Sequence, residues 1–119
     1  MSDTVKPVVS YETFASLDIR AGRVLEVRVA EGAPKAAYVI KADFGKFGVR
    51  TSVGRFTKHE VNEIKGRLIL GVLNLGSREI AGMESQFLCL GVQFPKADSG
   101  EATPITVLSD DAKIGSKLF

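Results

Sequence analysis

Apolar and polar residues alternate along this chain with the period of strands more often than with the period of helices. Leu25, Val27 and Val29 interleave with Glu26, Arg28 and Ala30, which predicts a half-buried strand with the first set inward. Gly22, just inside its start, offers a place for a bulge or sharp bend. From Ala37 to Phe44, Tyr38, Ile40 and Ala42 stand opposite Val39, Lys41 and Asp43. A third run covers Phe47 to Val53, and with only Gly45 and Lys46 between them the two runs read as a hairpin. The period lengthens between Thr57 and Ile64. Thr57 suits an N-cap with Glu60 as its capping-box partner, and Val61 and Ile64 share a face, so a short helix ending near Gly66 is predicted. Arg67 to Leu75 and Ser85 to Phe94 are apolar enough for central strands, separated by a polar loop with Gly76, Ser77, Arg78, Glu79 and Gly82. Ala97 to Gly100 reads as a loop and Ile105 to Leu108 as a last strand. No proline falls between Pro34 and Pro95, so every backbone N–H there is free to join a ladder.

Five strands with one helix between the third and fourth is the order of the OB-fold, an all-β, five-stranded Greek-key barrel. At 119 residues the chain reads as a single domain over 1–119. Folding at this size buries roughly two-thirds of the unfolded surface, enough for one core without disulfides or metal. The apolar tail of Ile114, Leu118 and Phe119 suits covering either the barrel or a partner, and the terminal extensions are expected to serve dimerisation.

The inventory of reactive groups is thin. Cys89 is the one cysteine, so no internal disulfide forms, and with no export-type N-terminus the reducing cytoplasm is the expected compartment. The longest apolar stretches, such as Leu68 to Leu73, fall far short of the ~20 residues of a membrane helix. His59, the sole histidine, lies beside Lys58 and Glu60 and reads as a solvated residue without metal partners. Cys89 sits between Leu88 and Leu90, away from the positive neighbours a reactive thiolate needs. Asp110 and Asp111 read as a solvated turn, and no glycine-rich phosphate loop occurs. A binder, not an enzyme, with no cofactor, is expected.

Net charge is only +2, but it is unevenly spread. Between Arg20 and Arg78 there are 12 Lys or Arg against 5 Asp or Glu, while the remainder holds 4 against 9. A basic centre between acidic flanks fits a polyanion-binding surface.

Two stretches sharpen this. LDIRAGRVLEV, residues 17–27, and VLNLGSREIAGMESQFLCLG, residues 72–91, resemble the tRNA-binding domain family. That family is an OB-fold shared by stand-alone dimeric tRNA-binding proteins, C-terminal extensions of some methionyl-tRNA synthetases and CsaA-type export chaperones. The resemblance covers about Phe14 to Phe94. Its pattern of a strand-ending asparagine, a basic residue, a glycine and a serine falls on Asn74, Arg78, Gly82 and Ser85. After the serine the tRNA-binding version continues with an acid, a glycine and a methionine. This chain has Gln86, Phe87 and Leu88, which is closer to the CsaA-like branch. In GAPKAAY, Lys35 stands one position from the family's loop lysine. The resemblance implies a homodimer that binds tRNA in a structure-dependent way. It also associates the chain with chaperoning of unfolded, export-bound polypeptides, or with docking on an aminoacyl-tRNA synthetase.

RNA binding needs cations for phosphates and polar or stacking groups for bases. The segment FGVRTSVGRFTK supplies Arg50, Ser52, Arg55 and Lys58, with Phe47 and Phe56 as aromatic faces that could equally be core. Alternation puts Arg50 and Ser52 on one strand face. With Lys35, Asn74, Arg78 and Ser85 these form the expected RNA contacts, Asn74 shaping its loop through local side-chain-to-backbone bonds and Ser85 able to satisfy backbone instead. For a peptide, an apolar dimer groove would draw on Phe87, Leu88, Val92 and Phe94, and an exposed strand edge would add main-chain bonds.

Overall fold

The computed structural model describes residues 4–95 and 100–119. Its spine is a long strand, β1 (Ile19–Val29), whose first half pairs antiparallel with β4 (Leu68–Val72) and whose second half pairs with β2 (Tyr38–Asp43). β2 continues into β3 (Val49–Gly54) through a 3-10 turn at Gly45–Phe47, the expected hairpin. With the short β7 (Leu88–Cys89) the sheet runs β3-β2-β1-β4-β7, a nearly closed barrel.

The seam between β3 and the stretch before β7 is closed by both the backbone and the side chain of Gln86. Gln86 N donates to Thr51 O at 2.7 Å, and Gln86 Oε1 accepts from Thr51 N and Oγ1, both at 3.0 Å. One side-chain amide thus replaces a peptide group of a missing strand.

The bulge in β1 falls at Leu25, between Val24 and Glu26, and not at Gly22. It turns Leu25 outward while Val27 stays buried; Val29, at the end of the strand, is also exposed. Gly22 is required for a different reason, since a Cβ there would lie 2.5 Å from Cε1 of Phe44. Tyr38, Ile40 and Ala42 point inward as expected, and Ile40, Phe44, Phe56, Ile64, Ile69 and Phe87 form the centre of the core.

The helix forms one turn later than expected. α2 (Val61–Ile64) is capped by Glu60 in a capping box with Glu63, while the Thr57 hydroxyl is bonded to Glu101. A further short helix, α1 (Tyr11–Ala15), is capped by Ser10 and precedes β1.

The run from Ser85 to Phe94 is not one central strand. It is divided among β6 (Met83–Ser85), β7 and β8 (Gly91–Gln93), which pair with three different partners. β6 forms a hairpin with β5 (Arg78–Ile80) where a polar loop was expected. Ala81 and Gly82 both have positive φ, 53° and 79°, as a type I′ turn requires. β8 pairs with β9 (Ala102–Pro104), so the last strand precedes Ile105–Leu108, of which Thr106 makes only an isolated bridge to Ile69. The loop expected over Ala97–Gly100 lies, Gly100 apart, outside the described residues. The chain then returns to β1, with Gly115 N donating to Ala21 O at 2.7 Å and Leu118 N to Ile19 O at 2.8 Å. Ile114 is partly buried beside Gly45, whereas Phe119 is fully exposed. Among the described residues no helix is long and apolar enough to cross a membrane.

Candidate nucleic-acid interface

The outer surface of β2 and β3 carries Lys41 opposite Thr51 and Val39 opposite Val53. It is flanked by the loop joining β1 to β2 and by the β5–β6 hairpin. Both are seated by a small apolar cluster: Ala30, Ala37 and Val39, with Ala33 from the loop, Val53 from β3 and Met83 from the hairpin. Lys35 is exposed in that loop and Arg78 in that hairpin, while Lys41 is exposed on β2 with Thr51 and Glu26 as its register partners. None of these three cations has a hydrogen-bond or ion-pair partner among the described residues. Lys41 was legible in the alternation of β2, since Ile40 and Ala42 face inward, yet it was not among the expected contacts.

Several expected contacts have other work. Arg50 and Ser52 do share a face, but it is the face of β3 turned to the barrel interior, with Ala42 and Ile40 as register partners. Ser52 is 2% exposed, and Arg50 donates to the carbonyls of Phe47 and Leu73 at 3.2 and 3.1 Å. Ser52 therefore leaves no surface for a ligand, and Arg50, half-buried, ties the end of the hairpin turn to the end of β4 through those carbonyls. Arg55 lies between three segments: Nε donates to Ala36 O at 3.1 Å and Nη2 to Glu101 Oε2 at 3.0 Å. Glu101, buried, also accepts from Thr57 N at 3.0 Å. That ion pair straps the β8–β9 hairpin to the end of β3 and to the loop that carries Lys35. Sequence reading missed Glu101 because it adjoins a segment read as loop.

Ser85 is buried and bonded at 3.4 Å to Val53 N and to Phe87 O, the backbone role rather than a ligand role. Asn74 does bind backbone, but not locally: Oδ1 accepts from Asp18 N and Nδ2 donates to Ser16 O, both at 2.8 Å. It fastens the end of β4 to the entry of β1. Phe56 is core, and one face of Phe47 is covered by the Arg20 guanidinium at 4.3 Å. Lys58 is exposed, its ammonium 5.2 Å from the centroid of Phe94.

Of the apolar set, Phe87 is buried edge-on against Phe44, ring centroids 4.9 Å apart, and cannot line a groove. Its position depends on Gly71, where a Cβ would stand 2.7 Å from Cδ2 of Phe87. Leu88 and Val92 are exposed, and Phe94 is half-buried. Cys89 lies on the inward side of β7, where burial pushes its thiol up to about 12. His59 is half-buried rather than solvated, its Nε2 2.9 Å from Thr103 Oγ1. Asp110 is bound by Arg23 at 2.6 Å. No group of three or more metal-binding side chains occurs among the described residues.

The model of the tRNA binding domain family matches residues 19–117. The chain is 34% identical over 111 residues to the methionine–tRNA ligase of Pyrococcus horikoshii, covering 92% of this chain and 14% of the ligase. It is 37% identical over 93 residues to that of Flavobacterium psychrophilum, covering 76% of this chain and 13% of the ligase. The chain therefore spans about one-seventh of the length of these relatives. Among solved structures it is similar to the chaperone CsaA of Bacillus anthracis, with TM-score 0.85 and 27% identity over 95% of this chain and 100% of that one. A MetRS related protein of Pyrococcus horikoshii has TM-score 0.81 at 20% identity, covering 95% of this chain and 99% of that one, a likeness of fold.

Proposed function

The chain belongs to the tRNA binding domain family, and from that premise we propose that it is a non-catalytic homodimer that binds tRNA through the outer face of β2 and β3. The observation that carries the reading is the placement of Lys35, Lys41 and Arg78. They are exposed and without partners among the described residues, one on β2 and the others in the loop and the hairpin that a shared apolar cluster seats beside it. Charges left open in this way are available to phosphates, and each phosphate neutralised releases counterions. Binding measured by filter retention should weaken steeply with salt. Replacing Lys35, Lys41 and Arg78 together by Gln should lower the log–log slope by roughly 2 to 3. An unchanged slope, or no tRNA binding by the wild type, defeats the proposal. Sedimentation tests the dimer separately: a monomer at micromolar concentration removes it.

A second reading, holding of extended polypeptides, draws support from exposed Leu88 and Val92 and from the likeness to CsaA chaperones. β7 is a two-residue edge of the sheet, where a client could add main-chain bonds. Suppression of client aggregation that persists in a Leu88→Ser, Val92→Ser protein would take these residues out of the contact.

A further inference from the structure

A second group of cations gathers around α2, apart from the β2–β3 face. Two adjoining cavities lie between α2 and the chain that includes and follows β9. One, of about 170 Å³, is lined by His59, Arg67 and Thr103; the other, of about 470 Å³, by Asn62, Lys65 and Asp110. Arg67 and Thr106 line both, so the two make one continuous groove.

The groove is lined by two cations, Lys65 and Arg67, and two carboxylates, Glu63 and Asp110, of which Asp110 is offset by Arg23. Its two carboxylates are engaged: Glu63 Oε1 accepts from Glu60 N at 2.8 Å within the capping box, and Asp110 Oδ1 accepts from Arg23 at 2.6 Å. Its cations are not engaged to the same degree. Arg67 commits only Nε, to Glu63 O at 2.9 Å, and leaves both Nη groups without a partner among the described residues. Lys65 and the Asn62 amide likewise have none, and all three side chains are exposed. The Thr106 hydroxyl, on the opposite wall, is also exposed and unpartnered among the described residues. His59, bonded to Thr103, closes one end, its Nδ1 3.8 Å from Glu63.

Open donors on both walls, spaced along a groove, suit an anion whose charge is repeated along a chain. A guanidinium with two free Nη groups also matches the fork geometry of a phosphodiester. We propose that this groove is a second RNA-backbone site, in which Arg67 and Lys65 contact phosphates while Asn62 and Thr106 donate to phosphate or ribose oxygens. The proposal rests on the RNA-binding reading above and extends it. A barrel gripping RNA both on β2–β3 and beside α2 selects a folded RNA able to reach both, and discriminates against a short single strand.

Two measurements test it. In tRNA binding across a salt series, Lys65→Gln with Arg67→Gln should lower the log–log slope by about 1.5, and affinity at 0.1 M salt by roughly tenfold or more. Arg67→Lys, which keeps the charge and loses the fork, should keep the wild-type slope and lose part of the affinity. A double variant with wild-type slope overturns the site, as does an Arg67→Lys protein whose slope falls as far as that of Arg67→Gln, since the retained cation would then meet no phosphate. In the second measurement His59, the only histidine, supplies a single set of imidazole proton resonances. Addition of sodium tripolyphosphate should shift them in the wild type and leave them still in the double variant. Unmoved His59 signals in the wild type overturn the groove even if tRNA binds elsewhere, whereas a wild type that binds no tRNA at any salt defeats the functional reading itself and with it RNA as the occupant.

Discussion

Among the described residues two apolar clusters stand out, and they are built on opposite terms. Inside the barrel, large rings meet glycines: Phe44 lies against Gly22 and Gly71, Phe56 against Gly54 and Gly91, with an added Cβ at any of these falling within 2.8 Å of a ring carbon. On the outside, the cluster beneath the Lys35 loop and the β5–β6 hairpin is made mostly of alanine and valine, with Met83 as its one long side chain. The first arrangement has no slack, because a ring fitted to a missing side chain can be neither enlarged nor displaced cheaply. The second buries little area per residue and relies on the Arg55–Glu101 strap for the rest. Stability is thus concentrated inside, while the placement of the proposed contact cations depends on the outside.

The sharpest way to break this contrast is Phe44→Ala. It removes a ring touched by two glycines and by Phe87, and should cost about 3–5 kcal/mol in urea unfolding. A loss below ~1 kcal/mol would mean that the interior can collapse around the void. Next comes Glu101→Gln, which leaves Arg55 without its carboxylate. Since Arg55 keeps 28% of its side-chain exposure, the cost should be nearer about 2 kcal/mol than the larger values of fully buried pairs. The same substitution should weaken tRNA binding, because Arg55 also holds Ala36 O in the loop of Lys35. Met83→Ala should cost only ~1 kcal/mol yet reduce tRNA affinity severalfold, whereas parallel falls in both quantities would erase the distinction between the clusters.

The smallest expected effect concerns Cys89. With its thiol pushed up to about 12, it stays protonated at pH 8 and should resist iodoacetamide until the protein unfolds. The sign follows from the raised value: this stabilising contribution is complete below the unfolded pKa of 9.0 and is lost as pH rises toward about 12. Rapid labelling of the folded protein at pH 8 would show that β7 opens locally.

The barrel was legible where one face of a strand is apolar and its hydrogen-bond partner close in sequence. The inward set Tyr38, Ile40 and Ala42 and the β2–β3 hairpin are of this kind. It was illegible where the backbone changes phase or partner. Leu25 reads as inward by alternation until the bulge shifts it out, and the apolar run from Ser85 to Phe94 carries no mark of its three separate pairings. At the candidate site, residue type identified cations but not their commitments. Arg50 and Arg55 look like Lys41 in the sequence. Only the carbonyls of Phe47 and Leu73, and the carboxylate of Glu101, distinguish structural cations from open ones. Phe47 apart, which lies three residues before Arg50, those partners are distant in sequence, as are Asp18 and Ser16 for Asn74.

Gln86 carries one more consequence. Although Gln86 N bonds Thr51 O, the Thr51 amide proton itself is held only by the Gln86 side chain, a single rotatable group. A turn about the side-chain bonds of Gln86 uncovers it without separating any two strands. Deuterium should therefore replace that proton sooner than the amides of Ile40 or Ile69, whose release requires the ladder itself to part. The barrel has a hoop fastened by a latch, and solvent exchange at that latch reports motions of the β2–β3 face that global unfolding would never register.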